Sequence, residues 1–301
     1  MATIAIPRAA DSHKYTTLWK YFFENLGFEV ILSPETTKAI VDAGVKAANT
    51  DLCFAMKVFY GHVLELQKQK FDYLFVPSIV GSRKTSGGDY CCAYFAGLPS
   101  IIKSSFDAKI LTTTFYTDED DYAPYIELGN KLNIKDEDKI RQAFDSALKK
   151  WIEERDTRKS KKLENPDKRI ALIGPDYVIL DKFCDMNIPK LLEEENVEVI
   201  YSSDLKSDLI EREAKHFPNH IQWHSEKELL GAIYHFMEDK TIDGIILIFP
   251  FSCGPCFLLN EQVLSKNQNK KNFLILNVDE SQNEGRIRTR IEAFLDILRR
   301  K

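Results

Sequence analysis

What this 301-residue chain lacks already narrows its function. No apolar run is long enough to cross a bilayer: the longest, such as GIILIFPF at Gly244–Phe251, fall far short of the roughly 20 residues a spanning helix needs. Positive charge is not in excess. The 41 Lys and Arg against 46 Asp and Glu leave a formal net charge of −5, so no global field draws the chain to nucleic acid or to an anionic membrane. A Walker loop, a complete G-x-G-x-x-G and an H-E-x-x-H are all missing, so ATP hydrolysis is expected of another protein. The opening MATIAIPRAA is strand-like and has no basic region, hydrophobic core and small-residue cleavage site in sequence, so a cytoplasmic protein is expected.

What is present describes a globular protein, 44% hydrophobic and 29% charged, long enough for two domains. TIAIP predicts a strand, TTLWKYFFENLG a helix closed by Gly27, and FEVILS a second strand, which together make a right-handed parallel β-α-β unit. Helices over TKAIVDAGV and LCFAMKVFYGHVLELQKQ follow, then strands over FDYLFVPSIV and AKILTTTF. An amphipathic helix runs from about Ile134 into the charged link RDTRKSKKLENPDKR, whose basic run reads as a solvated helix end or a docking patch. After Lys168 the alternation restarts with RIALIG, MNIPKLLEEENV and EVIYSS. It continues through a helix that Ser225 and Glu228 are expected to cap, DGIILIFPF, NFLILNVD and a closing helix over RIRTRIEAFLDILRRK. The expected fold is α/β, with two Rossmann-like domains of mostly parallel sheets facing each other across a cleft. The expected boundaries are 1–130, a connecting helix and charged linker over 131–167, and 168–301.

The six cysteines are Cys53, Cys91, Cys92, Cys184, Cys253 and Cys256. At this length, without a secretory signal, metal binding or redox chemistry outweighs a disulfide framework, and buried thiols acting as small hydrophobes are the plain alternative. Cys253 follows a strand, where sites form in parallel sheets, and opens the thioredoxin-like string Cys-Gly-Pro-Cys. Cys91 and Cys92 follow a strand and a loop holding Gly81, Gly87 and Gly88. Cys53 is expected in the first turn of a helix, where free N–H groups favour a thiolate. Three separate cysteine sites suit one cluster between the domains better than a local dithiol. Neither paired C-x-x-C modules of a zinc ribbon nor the ferredoxin run occurs, so the residues by themselves reach a thiolate metal site and no further.

IAIPRA, LWKYFFENLGFEVILSP, LCFAMKVFYGHV, DYLFVPSIV, CAYFAGLPSII, RIALIGPDY, MNIPKLL, GIILIFPFSCGPC and TRIEAFLDILRR run in order over nearly the whole chain. In these the chain resembles the acyl-CoA dehydratase activase-related proteins, relatives of the iron–sulfur subunits of 2-hydroxyacyl-CoA dehydratase and benzoyl-CoA reductase. The resemblance implies a [4Fe-4S] cluster on three cysteines, which carry over to Cys53, Cys92 and Cys253. It also implies low-potential electron transfer or reduction of a small molecule or acyl-CoA, an ATP-dependent activase (an iron–sulfur ATPase) as partner, anaerobic chemistry and pairing into a homodimer. Cys91 stands where the pattern has no cysteine, Cys256 where it usually has Asp, and Asp279–Gly285 replaces a stretch that commonly carries a histidine. Cys91 and Cys256 are therefore additional candidate ligands, and with Cys184 six thiols would suffice for an [8Fe-9S] double cubane. The other readings are a non-redox cluster carrier or scaffold and a Cys-Gly-Pro-Cys dithiol oxidoreductase. Lys57 and His62 are the catalytic candidates, His224 a weaker one, and Arg8 a candidate holder of an anionic ligand or a partner.

Overall fold

The computed structural model describes residues 1–10, 12–82, 89–117, 121–157, 162–217, 223–267, 271–281 and 283–300. Gly87 and Gly88, three residues of the acidic TDEDD run and half of the basic RDTRKSKK run lie outside the described residues. The chain divides into two compact units, Met1–Thr50 with Ala55–Arg158, and Asp51–Phe54 with Lys159–Lys301.

The first unit begins with β1 (Thr3–Ile6), α1 (Ser12–Asn25), β2 (Glu29–Leu32), α2 (Lys38–Ala47), α3 (Phe54–Leu66) and β3 (Tyr73–Phe75). Then come the short strands β4 (Ser78–Ile79), β5 (Gly81–Ser82) and β6 (Asp89–Tyr90), and the helices α4 (Ala93–Ala96) and α5 (Leu98–Ser105). The strands β7 (Ile110–Leu111) and β8 (Thr114–Phe115) precede α6 (Ala123–Lys131) and α7 (Glu137–Thr157). Its main sheet is parallel, in the order β2-β1-β3-β7. AKILTTTF is thus not one strand but two short ones, β7 pairing with β3 and β8 with β4.

Aromatic rings fill this core. Trp19, Phe22 and Phe23 project from α1 at helical spacing and are buried with Phe75, Phe115, Phe144 and Trp151. Trp19 meets Phe75 edge-on at 5.1 Å, Phe22 meets Tyr125 at 4.9 Å, and each such ring contributes about 1.5–3 kcal/mol by burial alone. Trp151 also donates its indole N–H to the Lys14 carbonyl at 3.0 Å, tying α7 to α1. Gly27 ends α1 in the left-handed region (φ 95°), and Phe28 N–H reaches back to the Phe23 carbonyl at 3.0 Å, the closure expected of that residue.

The second unit contains β9 (Lys168–Ile173), α8 (Asp176–Ile179), α9 (Ile188–Glu194), β10 (Val197–Tyr201), α10 (Ser207–Ala214) and α11 (His224–Glu238). The elements β11 (Gly244–Pro250), α12 (Gly254–Asn267), β12 (Asn272–Val278) and α13 (Glu284–Arg299) complete it. Its sheet is also parallel, in the order β10-β9-β11-β12, so each sheet places its first strand second and its third strand third. Every residue of β11 is buried, as a parallel strand covered on both faces requires. The expected capping box at Ser225 does not form. The helix already begins at His224, Trp223 occupies the cap position without a side-chain bond, and Ser225 falls inside the first turn.

Close helix approach depends on missing side chains. A Cβ on Gly44 of α2 would lie 1.9 Å from the Lys57 carbonyl oxygen of α3, and one on Gly231 of α11 would lie 2.2 Å from the Ile210 carbonyl of α10. Gly44→Ala is expected to cost about 1–3 kcal/mol by forcing α2 and α3 apart. Gly254→Ala, where nothing lies within 4 Å, should leave the melting temperature unchanged or raise it slightly. Equal melting temperatures for wild type and Gly44→Ala would refute the close-approach account.

Candidate functional site

β11 runs out at Pro250, and the chain must reverse to start α12. Ser252 makes the turn in the left-handed region (φ 62°), an uncommon conformation for a side-chain-bearing residue. This sets Cys253 as the residue before the helix, its carbonyl accepting Phe257 N–H at 3.1 Å. Its sulfur then takes the role that a Ser or Asp oxygen takes at other helix starts. The Cys256 thiol and the Cys256 backbone N–H both donate to the Cys253 sulfur, and these bonds pull Cys253 down to about 7 against the opposing cost of burial. Cys256 is pushed well above the usual thiol range, first by that same bond and then by burial. One sulfur of the pair is thus a ready thiolate and the other holds its proton.

Two further groups join this pair. Cys53, although early in the chain, belongs to the second unit, where the following Phe54 N–H donates to the Phe251 carbonyl at 3.4 Å. Cys53 lies close enough to raise the Cys256 thiol electrostatically. It sits just before α3 rather than within its first turn.

Glu226 is the group that sequence reasoning missed. It projects from α11 on the stripe of Leu229, Leu230, Ile233 and Met237 and is only 6% exposed. Its Oε1 has no hydrogen-bond partner among the described residues. Burial, and next the neighbouring Cys253, push its carboxyl up to about 7. The available signal was an acid placed on an otherwise apolar helical stripe.

The remaining candidates lie on other elements. Cys92 is the residue before α4 in the first unit, and Cys91 is buried in that unit's aromatic core with its N–H on the Val80 carbonyl at 3.1 Å. Lys57 is half-buried on α3. His62 is fully buried, with Nδ1 2.8 Å from Ser33 Oγ and Nε2 3.0 Å from Thr36 Oγ1. His224 pairs with Glu228 at 3.5 Å one turn along α11. Among the described residues, no three His, Cys, Asp or Glu side chains are gathered into a group that would hold a metal ion. The donors nevertheless suit a soft metal: Cys53 and Cys253 are thiols of one unit, and one of them is ionised near neutral pH.

Cys184 occupies a tight turn before α9. Asp181 Oδ1 accepts the N–H groups of Phe183 at 2.9 Å and Cys184 at 3.0 Å, and burial pushes the Cys184 thiol up. Asp185 accepts Asn187 N–H at 2.8 Å, and Met186 and Asn187 are both left-handed. Burial raises Asp185 from 3.8 to about 7 despite that bond, with Asp181 adding to the rise and Lys182 opposing it.

Two outcomes follow. Iodoacetamide near neutral pH should modify Cys253 before Cys256 and Cys184, and Cys256→Ala should raise the Cys253 pKa. Mass mapping that finds Cys256 alkylated first would reverse the assignment. The folded state holds the Asp185 proton more tightly than the unfolded chain does, so the stability from this group is full at acid pH and is lost as pH rises toward about 7. Asp185→Asn keeps the acceptor and removes the charge. Its unfolding midpoint in urea should gain on wild type more at about pH 8 than at about pH 5, and an equal gain at both would contradict the assignment.

No helix among the described residues is long and apolar enough to cross a membrane. No curated protein matches the chain. The family described as the CoA enzyme activase uncharacterised domain matches residues 3–205, which hold Cys53, Cys91, Cys92 and Cys184 and stop short of Cys253 and Cys256. The chain therefore belongs to the CoA enzyme activase uncharacterised domain family, in line with its resemblance to acyl-CoA dehydratase activase-related proteins.

Proposed function

We propose that this chain is an iron–sulfur component of a CoA-enzyme activation system, with a [4Fe-4S] cluster held by Cys53, Cys92 and Cys253. The observation that carries the reading is the company of Cys53, from early in the chain, with the Cys253–Cys256 pair of the second unit, together with the easy ionisation of Cys253. Thiolates at helix starts suit iron because the unpaired N–H groups of the first turn offset their charge. When bound, such a cluster supplies a low-potential one-electron centre. Cys53 and Cys253 bind and orient, Cys256 keeps its proton and donates to Cys253, and Glu226 sets the charge beside the pair.

The partner in this reading is an ATP-dependent activase, which membership of the CoA enzyme activase domain family supports. The reaction class is ATP-coupled reduction of a small molecule or acyl-CoA, or a dehydratase-like step. Phe251, Phe257 and Leu258, exposed around the pair, offer the apolar surface that a protein partner covers. A second reading is thiol–disulfide exchange at Cys253 and Cys256, favoured by their mutual hydrogen bond and opposite acidities.

Protein purified without oxygen is expected to be brown with about four irons per chain. Cys53→Ser, Cys92→Ser and Cys253→Ser should each lose iron, whereas Cys256→Ser should keep it. Roughly twice that iron content would instead mean a double cubane. Iron-free protein with a titratable Cys253–Cys256 disulfide would replace the cluster by the dithiol. Reduction by an activase with ATP separates a redox partner from a passive carrier, which would not respond.

A further inference from the structure

The first unit contains a cavity of about 450 Å³ that none of the cysteine chemistry uses. One face of α1 forms its wall: His13, Thr17, Lys20 and Tyr21 follow at helical spacing. Arg8, which follows β1, and Glu154 of α7 also line it. The position is the one where parallel α/β sheets hold ligands, beyond the carboxyl ends of β1 and β2 and beside the helix that follows β1.

The local structure fixes the backbone of Arg8. Its N–H donates to Ser33 Oγ at 2.8 Å, Ser33 N–H donates to the Ile6 carbonyl at 3.1 Å, and the same Ser33 hydroxyl meets His62 Nδ1 at 2.8 Å. The buried His62 thus ties α3 to the two strand ends, and Arg8 leaves that knot toward the cavity.

The lining is asymmetric in charge. Arg8 and Lys20 bring two basic side chains to it, although Lys20 also meets Glu24 at 3.3 Å. Among the described residues of the wall the one carboxylate is Glu154, which already accepts a hydrogen bond from the Tyr21 hydroxyl. Burial and that bond push the Tyr21 phenol up to about 12, so it remains a neutral donor. Thr17 Oγ1 is buried without a hydrogen-bond partner among the described residues, a hydroxyl left for something the cavity receives.

We infer that this cavity binds the oxyanion group of a small organic molecule, a carboxylate or a phosphate ester, with Arg8 as its principal contact and Thr17 and Lys20 as supporting donors. The guanidinium fork matches both anions in geometry, the threonine hydroxyl adds a neutral donor, and the space suits a ligand of metabolite size. The site stands independently of any cluster, because every residue in it belongs to the first unit.

The test uses the full chain in chloride buffer at constant ionic strength, titrated separately with inorganic phosphate and with acetate. Binding is read by calorimetry and by amide chemical shifts. At least one anion should saturate, with shifts centred on residues 8, 17 and 20, and the tighter of the two identifies the group the cavity prefers. Arg8→Gln should weaken that anion by about tenfold or more, and Thr17→Val by a few-fold. Lys20→Gln is the second charge variant should Arg8→Gln fail to fold. Arg288→Gln, on the second unit, should bind as wild type does. Failure of both anions to saturate, or equal binding by wild type, Thr17→Val and the folded charge variant, would overturn the site.

Discussion

A parallel strand cannot turn straight back into its neighbour, and that constraint organises this molecule. Each strand must be followed by a crossover, so the carboxyl end of a strand faces the amino end of a helix, where backbone N–H groups have no partner in the helix. Both units obey it with the same strand order. The β11–α12 junction places a cysteine sulfur at those N–H groups, and the β1–α1 junction places Arg8 and the polar face of α1 around a cavity. The cysteine pair and the cavity share one topological origin.

The two units solve their cores differently. The first stacks aromatic rings from α1, α6 and α7 around Phe75 and Phe115, and locks α7 to α1 through Trp151. The second packs mainly aliphatic residues of β9, β11, α11 and α12, with Phe217, Phe236 and Phe249 among them. Buried polar groups are correspondingly few and specific. In the first unit His62 has hydroxyls at both ring nitrogens, so its burial is satisfied. In the second, Glu226 leaves one oxygen without such a partner and lies beside a thiolate, and the carboxyl responds by holding its proton to about pH 7.

Much of the fold was legible in the chain. TIAIP, RIALIG and DGIILIFPF each read as a strand, and each proves to lie inside a parallel sheet, while Gly27 announced the end of α1. Local signals failed where two patterns overlapped. Ser225 and Glu228 have capping-box spacing, yet α11 starts one residue before Ser225, because burial of the Leu229–Leu230–Ile233 stripe outweighs a cap that is usually worth only about 1 kcal/mol. AKILTTTF reads as one strand, but its two halves pair with different partners, and pairing is a long-range choice.

By itself the sequence determined the alternation of strands and helices, the parallel sheets and the positions of six thiols along the chain, because periodicity and residue type are local properties. Tertiary structure decided that Cys53 stands with the second unit, that Cys256 gives its hydrogen bond to Cys253, and that an acid from α11 lies beside them. It also decided which residues of α1 line a cavity with Arg8. The reason is that acidity and affinity depend on burial and on neighbours brought from far along the chain, and no window of residues contains either.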